Sequence, residues 1–336
     1  MTKGGSQIKT LDCITQIEFG ELQHYKNVSA VPLFHPARGT FAYSTLTEAL
    51  HDGFIVVTEV SAGGSVPDLK VINNADSAIL LLDGEELKGA KQNRVLNASV
   101  LLDARSETII PVSCTEAGRW SYTTKAFAAS GHVMPPNLRS DRARSVAASL
   151  DRIHEFRSDQ RAVWRGIDSY AKAAAVRSPT SAMADVFAAK EDEIEDSLDA
   201  LTRVPDQKGI LFFVNGKVVG FDLLSRAAAY EVLHDKLVKS YVMDALLQKT
   251  SANRNATLDD ARAFVTETQS CSEKRYKSAG LGWDYRFDGT RIVGSALVHN
   301  ASVVHAAFFR AHDGIGRMAN YTRRRAYRAR SAAHPS

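Results

Sequence analysis

The chain has 336 residues, of which 44% are hydrophobic and 24% charged, so it is long enough for one large domain or two ordinary ones. These fractions are typical of a soluble globular protein. The net charge is +4, but removing the five arginines of segment 323–330 leaves 37 basic against 38 acidic side chains. The folded part is therefore not a polycation built for nucleic acid, and only this basic segment is a candidate for such contact.

Three cysteines are too few and too scattered for a disulfide framework or a metal knuckle: Cys13, Cys114 and Cys271. No apolar run approaches the length of a membrane span, and the N-terminus has no apolar signal segment. We therefore expect a protein of the reducing cytoplasm that makes no contact with a membrane.

The N-terminal 135 residues contain short strand-like runs separated by polar turns. The clearest are the β-branched run at 54–60 and the continuous apolar run at 77–82, which suits a strand covered on both faces. Strands at this spacing favour a β-sandwich or jelly-roll-like half. The predicted strands are 13–19, 31–33, 54–60, 69–73, 77–82, 97–102 and 108–115, with a short helix at 41–50.

Helical periodicity dominates after Pro135-Pro136. Helices are predicted at 142–153, 158–175, from Thr180 to about 201, 227–247 and 257–268. Asn215-Gly216 between two apolar runs predicts a hairpin over 210–224, and closing strands follow within 283–309. We expect one α+β domain over 10–321, with a β-rich half at 10–135 and a helix-rich half at 140–321, because the closing strands rejoin the main body. The tail at 322–336 is predicted to be basic and disordered.

The stretch 83–94 reads as a densely polar turn between apolar strands. It carries two carboxylates, cations and two side-chain amides, which together suit an anionic ligand such as a phosphate or carboxylate. The alternative is a solvated surface loop whose ion pairs contribute little. The residues in question are Glu85, Glu86, Lys91, Gln92, Asn93 and Arg94.

A second concentration of reactive and polar side chains lies at 114–120. Cys114 is either a nucleophile or a small buried thiol, because it shares a strand face with apolar residues. Glu116, Arg119 and Trp120 place an acid, a guanidinium and a flat ring just beyond the strand end. Trp120 could stack on a base or sugar, or it could plug the core.

Familiar catalytic signatures are missing, so the motifs name no reaction. There is no HExxH, GxSxG or Walker phosphate loop, and GLGWD at 280–284 is not followed by a helix. His299 and His305 could form a metal pair, but ordinary histidines are favoured because no third ligand is evident. The sequence names no metal site and leaves the cofactor unknown.

The segments GEELKGAKQNR, VLNASVLL and IIPVSCTEAGRW resemble the signature of the ARG and rhodanese-phosphatase-superfamily-associated protein domain, a bacterial family without an established reaction. Further similar segments follow in matching order: RSDQRAVW, RSPTSAMADVF, ILFFVNGKVVGFDLL, LVKSYVMDAL and GLGWDYRF. The resemblance covers about 52–309, excludes the basic tail, and departs from the usual turn at 103–105. The family is named for its genomic association with ADP-ribosylglycohydrolases and phosphatase-like proteins. The resemblance therefore implies a role in NAD or ADP-ribose metabolism.

Two hypotheses follow. In the first, the protein binds an ADP-ribose- or NAD-like small molecule, and one concave pocket holds both segments. Lys91, Arg94 and Arg119 would hold phosphates and Trp120 would stack on a ring. Glu85, Glu116 and Cys114 are then the candidate catalytic residues, and Glu86, Gln92, Asn93 and Asn97 are further ligand contacts.

The second hypothesis is a non-enzymatic interaction or regulatory module that binds a protein partner at a sheet edge. In this case Gln92, Asn93 and Asn97 satisfy buried backbone groups. It predicts that Glu85, Lys91, Arg94 and Arg119 are salt-bridged pairwise and filled in by neighbouring side chains. Whether the protein is an enzyme stays open.

Overall fold

A computed structural model describes residues 10–37, 41–61, 63–248 and 255–311. Within these ranges the chain forms eight helices and eighteen strands. It is a mixed α+β protein with a strand-rich N-terminal half, as predicted. None of the described helices is long and apolar enough to cross a membrane. The predicted basic tail, 322–336, lies outside the described residues.

The helices are α1 (Thr10–Ile14), α2 (Leu46–His51), α3 (Pro136–Ile153), α4 (Gln160–Ala173), α5 (Met183–Ala188), α6 (Glu191–Ala200), α7 (Ala227–Leu246) and α8 (Leu258–Thr268). The strands before the helix-rich region are β1 (Glu18–Phe19), β2 (Gln23–Tyr25), β3 (Val28–Phe34), β4 (Tyr43–Thr45), β5 (Ile55–Glu59), β6 (Asp68–Asn73), β7 (Ala78–Leu81), β8 (Glu85–Gly89), β9 (Arg94–Leu96), β10 (Val100–Leu102), β11 (Ser106–Cys114) and β12 (Phe127–Val133). The later strands are β13 (Gly209–Val214), β14 (Lys217–Leu224), β15 (Ser272–Lys277), β16 (Trp283–Asp288), β17 (Ile292–His299) and β18 (Ser302–Arg310).

The largest described sheet combines strands from both ends of the chain. Its order is β1-β3-β13-β14-β18-β17-β16-β15, with β2 also paired to β3, and all its pairs are antiparallel. The position of β13 between two cores explains its continuous apolar sequence. Phe212 enters a core shared with α3 to α7, and Phe213 enters a core shared with α1 and α8. A strand covered on both faces needs apolar residues at every position.

The N-terminal half contains two smaller sheets that enclose a third apolar core. One has the order β10-β7-β4, in which β4 and β7 run parallel, and the other has the order β12-β8-β9-β11-β6-β5. Alternate residues of β6 and β11, such as Leu69, Val71, Ile110 and Val112, enter this core. Two sheets around one core are the layered arrangement expected for this half.

Several predicted elements differ in the structure. The strand predicted at 13–19 is helix α1 followed by the short β1, because Leu11 and Ile14, three residues apart, both face the core. Strand β4 replaces the first part of the helix predicted at 41–50, so that α2 begins at Leu46. The helix predicted from Thr180 is divided into α5 and α6. The predicted turn at 83–94 contains β8 and the first residue of β9. Strands β12 and β15 were not predicted, since their sequences lack a clear apolar alternation.

Candidate functional site

The two segments singled out in the sequence lie side by side. β9 pairs with β11, which places Cys114 directly opposite Arg94. Of the two alternatives for 83–94, the solvated surface loop is wrong, because neighbouring strands and the loops around α4 and α5 cover most of its side chains. The buried residues are Glu85, Glu86, Gln92, Asn93, Arg94 and Asn97.

Arg94 has no exposed surface. Its Nη1 donates to Gln92 Oε1 at 3.0 Å, and its Nη2 lies 3.5 Å from Glu59 Oε1. The guanidinium carbon is 5.5 Å from the centroid of the Trp120 ring. Glu59, at the end of β5, was not among the predicted residues. Arg94 therefore serves as the internal partner of Glu59 and offers no surface to a phosphate in solvent.

Arg119 closes the turn between β8 and β9. Its Nη2 lies 2.6 Å from Glu116 Oε2, and its Nη1 donates to the carbonyl of Ala90 at 2.7 Å. Burial alone would raise the pKa of Glu116, but hydrogen bonds from Arg119, Thr180 and the Asn93 N–H outweigh burial and hold this pKa below its usual value. Glu116 is therefore ionised and already supplied with donors at neutral pH.

The other predicted polar residues also satisfy internal groups. Lys236 of α7 donates to Glu85 Oε1 at 2.8 Å. Gln92 Nε2 donates to the carbonyl of Glu116 at 2.6 Å, and Asn97 Nδ2 donates at 3.0 Å to a carbonyl of the loop between α3 and α4. Separate ion pairs thus hold Glu85, Arg94 and Arg119, as the second hypothesis predicts for these three residues. The fourth residue, Lys91, instead donates to the carbonyl of Gly63.

Cys114 is a fully buried thiol. Burial raises its pKa to about 11, so it stays protonated at neutral pH. Gln160, at the start of α4, holds this residue at its backbone: Oε1 accepts the Cys114 N–H and Nε2 donates to the Cys114 carbonyl, both at 2.8 Å. The geometry assigns Cys114 a packing role and gives no support for a nucleophile.

Glu86 is a buried carboxylate that accepts hydrogen bonds from the described residues on only one of its two oxygens. Thr115 Oγ1 donates to Glu86 Oε1 at 2.6 Å, whereas Oε2 is buried without a hydrogen-bond partner among the described residues. Burial raises the pKa of Glu86 to about 7, against hydrogen bonds from Thr115 and Ser130. Glu86 therefore exchanges its proton near neutral pH beside the ionised Glu116, although only 2% of its surface is exposed.

The exposed part of this region is a small surface that we call the aromatic–cationic patch, formed by Lys91, Trp120 and Tyr122. Lys91 Nζ lies 5.3 Å from the ring centroid of Trp120 and 5.2 Å from that of Tyr122. The two aromatic residues are 47% and 50% exposed. Lys91 donates to the Gly63 carbonyl at 2.7 Å, which leaves two of its three N–H groups for other acceptors.

Gly64 forms a wall of the patch. Its φ of +77° suits glycine, and an added Cβ would lie 3.2 Å from Lys91 Cδ and 3.3 Å from Trp120 Cζ2. The same Cβ would lie 3.4 Å from Glu59 Oε2, a buried oxygen without a hydrogen-bond partner in the described part of the chain. The Arg94–Glu59 pair therefore lies directly below the patch.

A second buried polar cluster lies between the nine-stranded sheet and α3. Asp222 of β14 accepts two hydrogen bonds from Arg139, at 2.7 and 2.9 Å, and one from Tyr241 at 2.8 Å. His305 Nε2 lies 3.0 Å from Asp222, and His305 Nδ1 lies 2.8 Å from Ser99 Oγ. Burial would raise the pKa of Asp222, but the charge of Arg139 outweighs it and lowers this pKa.

The same cluster extends along α3 to the closing strands. Arg142 lies 2.6 Å from Asp83, and Arg286 makes two contacts with Asp284, at 2.6 and 2.9 Å. His299 instead packs edge-on against Phe41 outside this cluster. No group of three or more His, Cys, Asp or Glu side chains in the described ranges is placed to hold a metal ion.

The sequence contains signals for some of the buried charged residues that the sequence analysis did not single out. Asp222 interrupts the apolar run of β14, and charges are rarely buried without a partner. Arg139 and Arg142 are three residues apart, so they share one face of α3. Tyr122 carries no signal beyond its position two residues after Trp120.

The family model of the ARG and Rhodanese-Phosphatase-superfamily-associated Protein domain matches residues 16–309. No curated protein and no solved structure matches the chain.

Proposed function

The chain belongs to the ARG and Rhodanese-Phosphatase-superfamily-associated Protein domain family, and we propose that it is a binding module for an ADP-ribose- or NAD-like ligand. The proposed binding surface is the aromatic–cationic patch. The observation that carries the proposal is the position of the Lys91 ammonium between two exposed rings, within 5.3 Å of both centroids.

The chemistry of the patch suits a ligand with both a flat ring and phosphates. Trp120 and Tyr122 offer exposed π faces on which an adenine or nicotinamide can stack. Lys91 has two free N–H groups beside these rings, and an ammonium binds phosphate as a point charge. The ring and the phosphates of one nucleotide would thus meet the patch together.

The buried residues below the patch support this surface in the proposal. Arg94 and Glu59 form an ion pair whose opposite charges balance each other. The charge of Lys91 is therefore the net positive charge of the patch that attracts an anion. Gly64 allows the neighbouring loop to approach the Trp120 ring closely. Because the carboxylates of Glu85 and Glu116 are held in ion pairs, we propose recognition of the ligand and assign no reaction.

Isothermal titration calorimetry with ADP-ribose, NAD, AMP and ribose 5-phosphate tests the proposal. We expect ADP-ribose and AMP to bind more tightly than ribose 5-phosphate, which lacks an aromatic base to stack on the rings. Trp120→Ala should cost about 1–3 kcal/mol, or about 5- to 150-fold in Kd. Lys91→Gln should weaken binding most at low salt. Phe54→Ala removes another exposed ring and should leave the affinity unchanged.

A second candidate function is the docking of a protein partner. It is favoured by exposed apolar side chains on the outer face of the six-stranded sheet, where Phe54, Val56 and Ile109 are 48%, 38% and 46% exposed. The same titrations separate the two candidates. If ADP-ribose, NAD and AMP all give no binding heat at millimolar concentration, the ligand-binding proposal is wrong and the docking candidate remains.

A further inference from the structure

The edge strand β15 carries a second exposed combination of an aromatic ring and cations. The Arg275 guanidinium carbon lies 4.3 Å from the ring centroid of Trp283, and Lys277 Nζ lies 5.5 Å from it. Trp283 is 41% exposed, and both basic residues are exposed. We call these three residues the edge strip.

Strand pairing fixes the geometry of the edge strip. Lys277 lies opposite Trp283 and Arg275 opposite Tyr285, so the two cations and the indole occupy one face of the β15–β16 ribbon. Residues two apart on a strand are about 7 Å from each other, so Arg275 and Lys277 form a short row of positive charge. The ribbon keeps continuous register over all six residues of β15, which makes the row a fixed feature of the sheet.

The edge strip is a local excess of positive charge. The six residues of β15 include three cations and one carboxylate, Glu273, which lies on the same face as Arg275 and Lys277. One of the cations, Lys274, is bound to Asp151 of α3 at 2.7 Å on the other face. Outside 323–330 the chain has almost equal numbers of basic and acidic side chains. The overall balance of charge therefore conceals this site.

We propose that the edge strip binds single-stranded nucleic acid. Arg275 and Lys277 would contact consecutive phosphates, and a base would stack on Trp283 or on the guanidinium plane above it. This proposal does not rest on the ligand proposed for the aromatic–cationic patch. Two phosphate contacts and one stacking ring correspond to a site of a few nucleotides with affinity that falls as salt rises.

An acidic peptide added to β15 is the competing occupant. β15 is an end strand of its sheet, so one of its sides lacks a β-strand partner in the described residues. However, closely spaced charged side chains on an edge strand disfavour the addition of another strand. An acidic peptide also lacks the flat bases for which an exposed indole is a suitable surface. These features favour nucleic acid.

Fluorescence anisotropy with a labelled ten-nucleotide oligo(dT) and an abasic strand of the same length tests the proposal. To remove the contribution of segment 323–330, all proteins carry glutamine in place of its five arginines. We expect oligo(dT) to bind more tightly than the abasic strand. Trp283→Ala should weaken binding of oligo(dT) about 5- to 150-fold and change binding of the abasic strand much less.

The double variant Arg275→Gln, Lys277→Gln supplies an independent readout that does not depend on the indole. It should lower the magnitude of the slope of log K against log salt by about 1.4, because each phosphate contact contributes about 0.7 for a single strand. The control Arg165→Gln, Lys217→Gln removes two exposed cations elsewhere and should keep the slope.

Three outcomes would overturn the proposal. The first is equal affinity for oligo(dT) and the abasic strand, which would exclude base stacking. The second is an unchanged salt slope in the Arg275→Gln, Lys277→Gln variant. The third is poly-glutamate displacing oligo(dT) at equal charge concentration, which would assign the edge strip to an acidic peptide.

Discussion

Replacing Glu86 with glutamine should change how folding stability depends on pH. Glu86 is buried against Thr115, and burial raises its pKa from 4.5 to about 7. In the folded protein it is therefore neutral at pH 5 and ionised at pH 8. Glutamine has the shape of the neutral acid and cannot ionise, so Glu86→Gln isolates the cost of the buried charge.

The size and sign follow from proton linkage. A carboxyl whose pKa is higher in the folded than in the unfolded state contributes stability that is fully present below pH 4.5 and is lost as pH rises to about 7. The separation of these two values corresponds to about 3 kcal/mol. Most of this difference develops between pH 5 and pH 8, so Glu86→Gln should gain about 2.5 kcal/mol relative to the wild type over this interval.

Urea unfolding followed by circular dichroism at both pH values measures this difference. Other groups also contribute to the pH dependence of stability. Burial lowers the pKa of His132 from 6.5 to about 4, so this residue takes up a proton when the protein unfolds below its ordinary pKa. Such contributions are common to both proteins and largely cancel in the comparison. Glu107→Gln is the matched control, because the Glu107 side chain is 58% exposed and stays solvated in the folded protein. If the stability difference between Glu86→Gln and the wild type is the same at pH 5 and pH 8, the assignment of a buried proton to Glu86 is wrong.

Other substitutions test the buried networks and the backbone. Asp222→Asn should cost about 3–5 kcal/mol in urea unfolding, because it removes the charge that accepts two hydrogen bonds from buried Arg139 and leaves Asp83, at 3.5 Å, as the other counter-charge. Asp76→Asn, in an exposed pair with Arg105, should change the stability far less. Cys114 should resist 5,5′-dithiobis(2-nitrobenzoic acid) in the native protein and react only after unfolding; fast native labelling would contradict its burial. Gly282→Ala should lower the melting temperature more than Gly53→Ala: both have positive φ, but a Cβ at 282 would lie 2.2 Å from a backbone carbonyl oxygen, whereas a Cβ at 53 meets nothing within 4 Å.

The elements predicted well from the sequence are those whose pattern is local. The hairpin over 210–224 follows from Asn215-Gly216, and α7 follows from its helical periodicity; both are present. The strand predicted at 54–60 corresponds to β5, because β-branched residues fit a pleated surface. These features depend on residues a few positions apart.

The site was harder to predict because its character depends on long-range burial. The sequence identified 83–94 and 114–120 as polar segments but could not reveal that Arg94 faces Glu59, 35 residues earlier in the chain. Lys236 reaches Glu85 across 151 positions, and no local pattern encodes such a pair. A charged residue looks the same in a sequence whether it is solvated or buried against a partner.

The most direct test of the proposed function is the tryptophan fluorescence of the native protein during titration with ADP-ribose. Stacking on Trp120 predicts saturable quenching in the wild type and in Trp283→Phe. The quenching should be largely lost in Trp120→Phe, which keeps a ring in the aromatic–cationic patch but removes the indole. Absence of quenching in the wild type, or equal quenching in Trp120→Phe, would contradict binding at this patch.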